Sequence, residues 1–95
     1  MLKFPAFFEQ DENKSYTVTF RDIPEAITEG KTLNEARKAA QDALITAMDF
    51  YFEDNRNIPE ASQMQANEEL IKLPLYISIK VILFNKLLKL SLKKG

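Results

Sequence analysis

Ninety-five residues make one domain with room for a single modest core. With no cysteine and no histidine, the chain lacks a disulfide framework, a thiol nucleophile, the commonest general base and the commonest zinc ligand. A net charge of −1 excludes bulk attraction to a polyanion, and two glycines and four prolines in a chain that is 45% hydrophobic exclude low-complexity disorder.

In chain order, the start MLKFPAFFEQDE turns acidic by Glu9 without a long apolar run, so no signal peptide is expected and the default compartment is the cytoplasm. Leu2, Phe4, Ala6 and Phe8 alternate as in a strand. Pro5 cannot donate to a ladder, which predicts an edge strand or a bulge. Glu9 to Ser15 is polar and reads as a hairpin loop. Tyr16, Val18 and Phe20 then alternate with Thr17, Thr19 and Arg21, a β-branched and aromatic strand that faces the core. Asp22-Ile23-Pro24 is a turn, because Pro24 holds Ile23 extended. Ala26–Glu29 can form a third strand, closed by Gly30.

Thr32-Leu33-Asn34-Glu35 is a capping box that opens a helix over 32–52. Leu33, Ala36, Ala40, Ala43, Leu44, Ala47, Met48 and Tyr51 recur at helical spacing and form its buried stripe. Glu35, Lys38, Gln41, Asp42, Thr46 and Asp49 take the opposite face, and Glu53-Asp54-Asn55 marks the end. The small alanines let this helix lie close across the hairpin. Residues 53–68 read as a surface loop, and Leu70, Ile71 and Leu73 as a short last strand before Pro74. Residues 76–82 fit strand alternation or helix. The long apolar run and Pro74 favour helix, with Ile77, Val81, Phe84 and Leu88 on one side and Ser78, Asn85, Lys89 and Lys93 as a polar stripe. Lys80, Lys86 and Lys89 interrupt the run, so no membrane span is expected.

Charge divides the chain. Residues 1–69 hold all 14 acids and 7 bases, a balance of −7, whereas residues 70–95 hold six lysines and no acid. An acidic body with a basic tail points to two surfaces for two partners. The acidic body suits a basic protein steered in by charge. Without His or Cys, catalysis would rest on carboxylates, lysines or hydroxyls. Asp22 with Asp42 or Asp49 is the only pair that can be drawn for magnesium, and carboxylates on a helix's polar face are ordinarily solvated. No Gly-rich phosphate loop and no nucleophile elbow occur. The expectation is therefore no catalytic residue, no metal, no cofactor and no enzyme.

Phe4-Pro5-Ala6, Ser15-Tyr16-Thr17-Val18-Thr19-Phe20, Asp22-Ile23-Pro24, Ala26-Ile27-Thr28, Glu35-Ala36, Asp42-Ala43-Leu44, Asp49-Phe50-Tyr51-Phe52, Ile58-Pro59 and Leu73-Pro74-Leu75 follow one another in an order that resembles the HicB antitoxins of bacterial HicAB toxin–antitoxin systems. The similarity runs over about nine-tenths of the chain. It implies an α+β fold with a partial RNase H-like β-β-β-α-β domain that lacks nuclease carboxylates, here 1–74. That domain would bind HicA, a small basic mRNA-cleaving toxin, and cover its active site. In many members a helix-turn-helix or ribbon-helix-helix domain follows and binds operator DNA. Here the chain reaches Gly95 about where a helix-turn-helix would begin, so residues 75–95 are expected as a basic amphipathic helix and tail, and operator binding is in doubt. Asn13-Lys14 and Glu25 stand where similar sequences often carry glycine.

Charge and exposure pick Glu9, Asp11, Glu12, Asp22 and Glu25 as candidate toxin contacts. Lys86, Lys89, Lys93 and Lys94 are candidate DNA contacts. The apolar excess of 75–92 predicts a homodimer or higher oligomer with Ile79, Leu83 and Leu87 at the contact. Alternatives are DNA binding through the lysine tail, a residual magnesium nuclease, and peripheral membrane attachment by 75–94.

Overall fold

Strand alternation, the capping box and the apolar run around Ile77 place their elements as follows in a computed structural model, which describes residues 1–94, with side chains through Ser91. The elements are β1 (Lys3–Gln10), β2 (Tyr16–Thr19), β3 (Ile27–Gly30), α1 (Leu33–Glu53), β4 (Glu68–Lys72) and α2 (Leu75–Lys94). The fold is α+β, β-β-β-α-β followed by a helix, as expected. The four strands form one antiparallel sheet in the order β3-β2-β1-β4.

β1 is therefore central, not an edge. β2 meets β1 only over Phe7–Gln10, while β4 meets it over Lys3–Phe7. At Pro5, opposite Leu70, no residue is paired on the β2 side, so the missing N–H removes no ladder bond there. β1 also runs two residues further than predicted. Glu9 pairs with Thr17 and Gln10 with Tyr16, so Glu9 stands on the strand rather than in the loop. Asp11 closes the hairpin instead: its Oδ1 accepts the N–H groups of Asn13 (2.9 Å) and Ser15 (3.0 Å). Lys14 takes the left-handed conformation there, at φ 65°, where a glycine is common.

α1 packs on the sheet through Ala36, Ala40, Leu44, Ala47, Met48 and Tyr51. Leu33 and Ala43, predicted buried, are half-buried at the stripe's margins. The Thr32 Oγ1 accepts the Glu35 N–H at 3.1 Å. The Glu35 carboxylate reaches one residue further back than in the standard box, to the Lys31 N–H at 3.1 Å. At the other end Asn55 is left-handed (φ 52°), its N–H donates to Phe52 O and the Arg56 N–H to Tyr51 O, a Schellman ending. Gly30 lies where an added Cβ would stand 2.5 Å from the Ala36 backbone N, so β3 and α1 touch backbone to backbone.

α2 follows as a helix, settling residues 76–82, but its faces differ from expectation. Ile77, Ser78 and Val81 are buried, and Phe84, Asn85 and Leu88 half-buried, so the predicted polar stripe of Ser78 and Asn85 faces the body. The Ser78 Oγ accepts the Leu2 N–H (3.0 Å) and donates to Leu73 O (3.3 Å). Asn85 Oδ1 accepts the Ile58 N–H and its Nδ2 donates to Ile58 O, both at 2.9 Å. Phe84 packs edge-on against Phe52 of α1, centroids 4.9 Å apart. Beyond Asn85, Leu88 alone among the described side chains is half-buried and the others are exposed, and the long dimension of 52 Å against 24 and 21 Å reflects this projecting end.

Candidate functional site

The five acidic candidates fall at opposite ends of β2. Glu9, Asp11 and Glu12 lie at the β1–β2 hairpin, beside the β3 terminus and the start of α1. There Asp11, Ser15, Glu29, Gly30, Lys31 and Glu35 line an open groove of about 530 Å³. Glu9 and Glu12 are exposed, whereas the Asp11 carboxylate holds its own turn.

Asp22 and Glu25 lie at the far end, beside the end of α1, and both are engaged. The Asp22 oxygens accept the Ser62 N–H (2.8 Å) and Ser62 O–H (2.6 Å), tying the 54–67 loop to the turn. Glu25 accepts the Tyr51 O–H at 2.7 Å and an Arg56 N–H at 3.0 Å, and Arg56 stacks 4.2 Å from the Tyr51 ring centre. The phenol's hydrogen bond, reinforced by Arg56, holds the Glu25 carboxyl below its ordinary value. Burial, then the Glu25 hydrogen bond and charge, push the Tyr51 phenol up to about 12. Nearby, Arg21 grips Glu68 with two hydrogen bonds, 2.8 and 3.0 Å, and also donates to Gln63 O. Arg21 first, then the Gln65 N–H, keep the Glu68 carboxyl below its usual range.

Asp42 and Asp49 are exposed on α1, and Asp22 is held by Ser62. Among the described residues no three acidic side chains gather as a metal would require. On α2, Lys86 and Lys89 are exposed, while the Lys93 and Lys94 side chains lie outside the described residues. Ile79, Leu83 and Leu87 are exposed together on the side of α2 away from the body. No described helix is long and apolar enough to cross a membrane. Ser62, Tyr51, Arg56, Ser78 and Asn85, which position these surfaces, were not readable as such. The one available signal was a lone Ser or Asn inside an apolar run.

The sequence matches a family model described as the HicB-like antitoxin of a bacterial toxin–antitoxin system over residues 3–82. It is 44% identical over 88 residues to antitoxin HicB of Escherichia coli (strain K12), covering 93% of this chain and 64% of that protein. It is 48% identical over 88 residues to antitoxin HicB 2 of Photorhabdus laumondii subsp. laumondii, covering 93% and 61%. The chain thus spans less than two-thirds of the length of these curated relatives. Its fold is similar to the crystal structure of the N-terminal domain of the Burkholderia pseudomallei antitoxin HicB, with TM-score 0.66, 22% identity, and coverage of 78% of this chain and 100% of that one. It is also similar to the crystal structure of that antitoxin HicB itself, with TM-score 0.65, 22% identity, and coverage of 79% and 65%. With the sheet, the capped helix and the order of motifs all in agreement, this chain belongs to the HicB-like antitoxin family of bacterial toxin–antitoxin systems.

Proposed function

We propose that this chain is a non-enzymatic antitoxin that binds a HicA-type, basic, mRNA-cleaving toxin and covers its active site. The charge division carries the reading: a body of −7 over residues 1–69 offers carboxylates where a ribonuclease would hold RNA phosphates. The toxin contact centres on the hairpin end, where Glu9 and Glu12 are exposed beside Asp11, Glu29 and Glu35. Asp22 and Glu25 enter as a second, weaker contact, because their oxygens already accept internal hydrogen bonds. Co-expression with the small reading frame beside its gene, followed by titration calorimetry of the purified pair, tests this. Affinity falls steadily as salt rises, and Glu9→Gln with Glu12→Gln weakens it roughly two- to five-fold per charge. An affinity indifferent to both salt and these substitutions overturns the electrostatic contact.

A second reading, operon autoregulation through operator DNA, is favoured by the six lysines and absent acids of residues 70–95. Exposed Lys86 and Lys89, with Lys93 and Lys94 beyond them, supply phosphate contacts. These residues bring none of the Arg, Asn or Gln pairs that read base edges, apart from Asn85, whose amide is engaged by Ile58. A gel shift with operator DNA that is lost in the double variant Lys86→Ala/Lys89→Ala would support it.

A further inference from the structure

β4 is an outer strand of the sheet and pairs on one side only, with β1. The Leu73 N–H donates to Leu2 O at 2.9 Å, which sets the phase of that ladder. Glu69 and Ile71 therefore turn their backbone groups to β1, and Glu68, Leu70 and Lys72 turn theirs outward. Two of the outward groups are taken. Gln41 Nε2, from α1, donates to Lys72 O at 2.9 Å, and the Glu68 N–H donates to Gln65 O at 3.1 Å. Between these stops the Glu68 C=O, the N–H and C=O of Leu70 and the Lys72 N–H have no partner among the described residues. They form an open ladder one short strand long.

Along this edge a groove of about 460 Å³ runs between β4 and α1, lined by Arg37, Lys38, Gln41, Glu69, Leu70 and Lys72 among others. Its charge is opposite to that of the rest of the body. Both carboxylates of β4 are neutralised, Glu68 by Arg21 and Glu69 by Arg37. Lys38, Lys72 and Lys3, which stands opposite Lys72 on β1, are exposed, and none has an acid within ion-pair distance among the described residues. Lys38 flanks the edge from the α1 side and Lys72 from the open face of the sheet. Lysines so placed repel a basic strand and attract an acidic one.

We propose that the β4 edge receives an extended acidic segment of another protein as a fifth strand. The open ladder supplies the main-chain hydrogen bonds. Leu70, 41% exposed, meets an apolar residue on the open face, and Lys38 and Lys72 meet carboxylates on either side of the strand. β3, with the acidic groove beside it, is the opposite edge of the sheet. The β4 site is thus separate from the hairpin end, and it stands whether or not the chain binds a toxin.

The probe is the end-blocked peptide Glu-Glu-Val-Thr-Thr, titrated into the isotope-labelled full chain and followed by nuclear magnetic resonance. Run antiparallel to β4, it places its valine opposite Leu70 and its two acids opposite Lys72 and Ile71. The largest shifts are expected at the Leu70 and Lys72 amides, with slowed exchange at Leu70. Lys-Lys-Val-Thr-Thr, and the first peptide N-methylated at valine, are each expected to bind about five- to tenfold more weakly. The double variant Lys38→Glu/Lys72→Glu exchanges the preference between the acidic and basic peptides. Leu70→Pro removes the outward N–H without touching the β1 ladder and abolishes binding; should it fail to fold, the charge exchange decides alone. Equal binding of all three peptides, or shifts centred away from β4, overturns the proposal. Tighter binding of a single-stranded oligonucleotide of equal charge at the same amides assigns the lysines to nucleic acid instead. Concentration-dependent protection of the Leu70 amide in the free protein assigns the edge to a second copy. Either result overturns the acidic strand.

Discussion

Replacing Asn85 with alanine isolates the contact that fastens α2 to the α1–β4 loop. The Asn85 amide closes a two-bond ring with both peptide groups of Ile58, at 2.9 Å each, and the Ile58 side chain is fully buried beneath it. Truncation leaves the Ile58 N–H without a partner and the Ile58 C=O with only the Asn57 amide, at 3.4 Å. A buried unpaired group costs about 1–3 kcal/mol. Asn85 is itself half-buried, so water reaches one side and the lower half of that range applies to each group. With the C=O still partly satisfied, the expected loss is about 2 kcal/mol, or roughly 8–16 °C in Tm for a domain of this size. Urea unfolding followed by circular dichroism measures it, and hydrogen exchange at the Ile58 amide locates it. Asn85→Leu separates hydrogen bonding from volume: it refills the space and is expected to lose about as much stability. An Asn85→Ala loss below about 0.5 kcal/mol, or recovery in Asn85→Leu, would refute the reasoning.

Gly30→Ala drives a methyl into the Ala36 and Glu35 backbone, which cannot yield as a flexible side chain does, so a loss of about 2–4 kcal/mol and partial displacement of β3 are expected in thermal melts. At high pH, the Tyr51 phenol, raised from 10 to about 12, contributes stability that is complete below pH 10 and disappears as pH climbs through 12. Tyr51→Phe, already lacking that contribution, should show a flatter stability profile between pH 10 and 12; matching profiles would remove the Glu25–Tyr51 bond from the account. At low pH, the depressed Glu25 and Glu68 carboxyls contribute stability that is present above their ordinary value near 4.5 and lost as pH falls through their folded values. The acid-side loss should shrink in the double variant Glu25→Gln/Glu68→Gln.

Features decided within a few residues were legible in the sequence. The Thr32–Glu35 cap, the alanine stripe of α1 and the alternation of Tyr16, Val18 and Phe20 needed only local periodicity, and they carried the β-β-β-α-β order. Features decided at long range were not. Ser78 and Asn85 look like solvent-facing polar residues until Leu2, Leu73 and Ile58, up to 76 positions away, supply their partners. Asp22 and Glu25 look like free surface charge for the same reason, since Ser62, Tyr51 and Arg56 arrive only when the fold closes. Alternation in β1 showed a strand, but Pro5 pointed to an edge because the staggered ends of β2 and β4 cannot be read from β1 itself.

The staggered sheet also sets an order of events during synthesis. β1 is made first, yet its second neighbour, β4, begins at Glu68 and is among the last parts of the body to leave the ribosome. Until then β2, β3 and α1 can assemble on one side of β1 while Lys3–Phe7 remains an open, apolar strand edge. Closing so distant a pair is the entropically expensive, slow step of such a topology. Pro5 offers no N–H on the β2 side of Lys3–Ala6, a flank that has no strand partner even in the finished sheet, so that flank is a poor template for pairing with another chain.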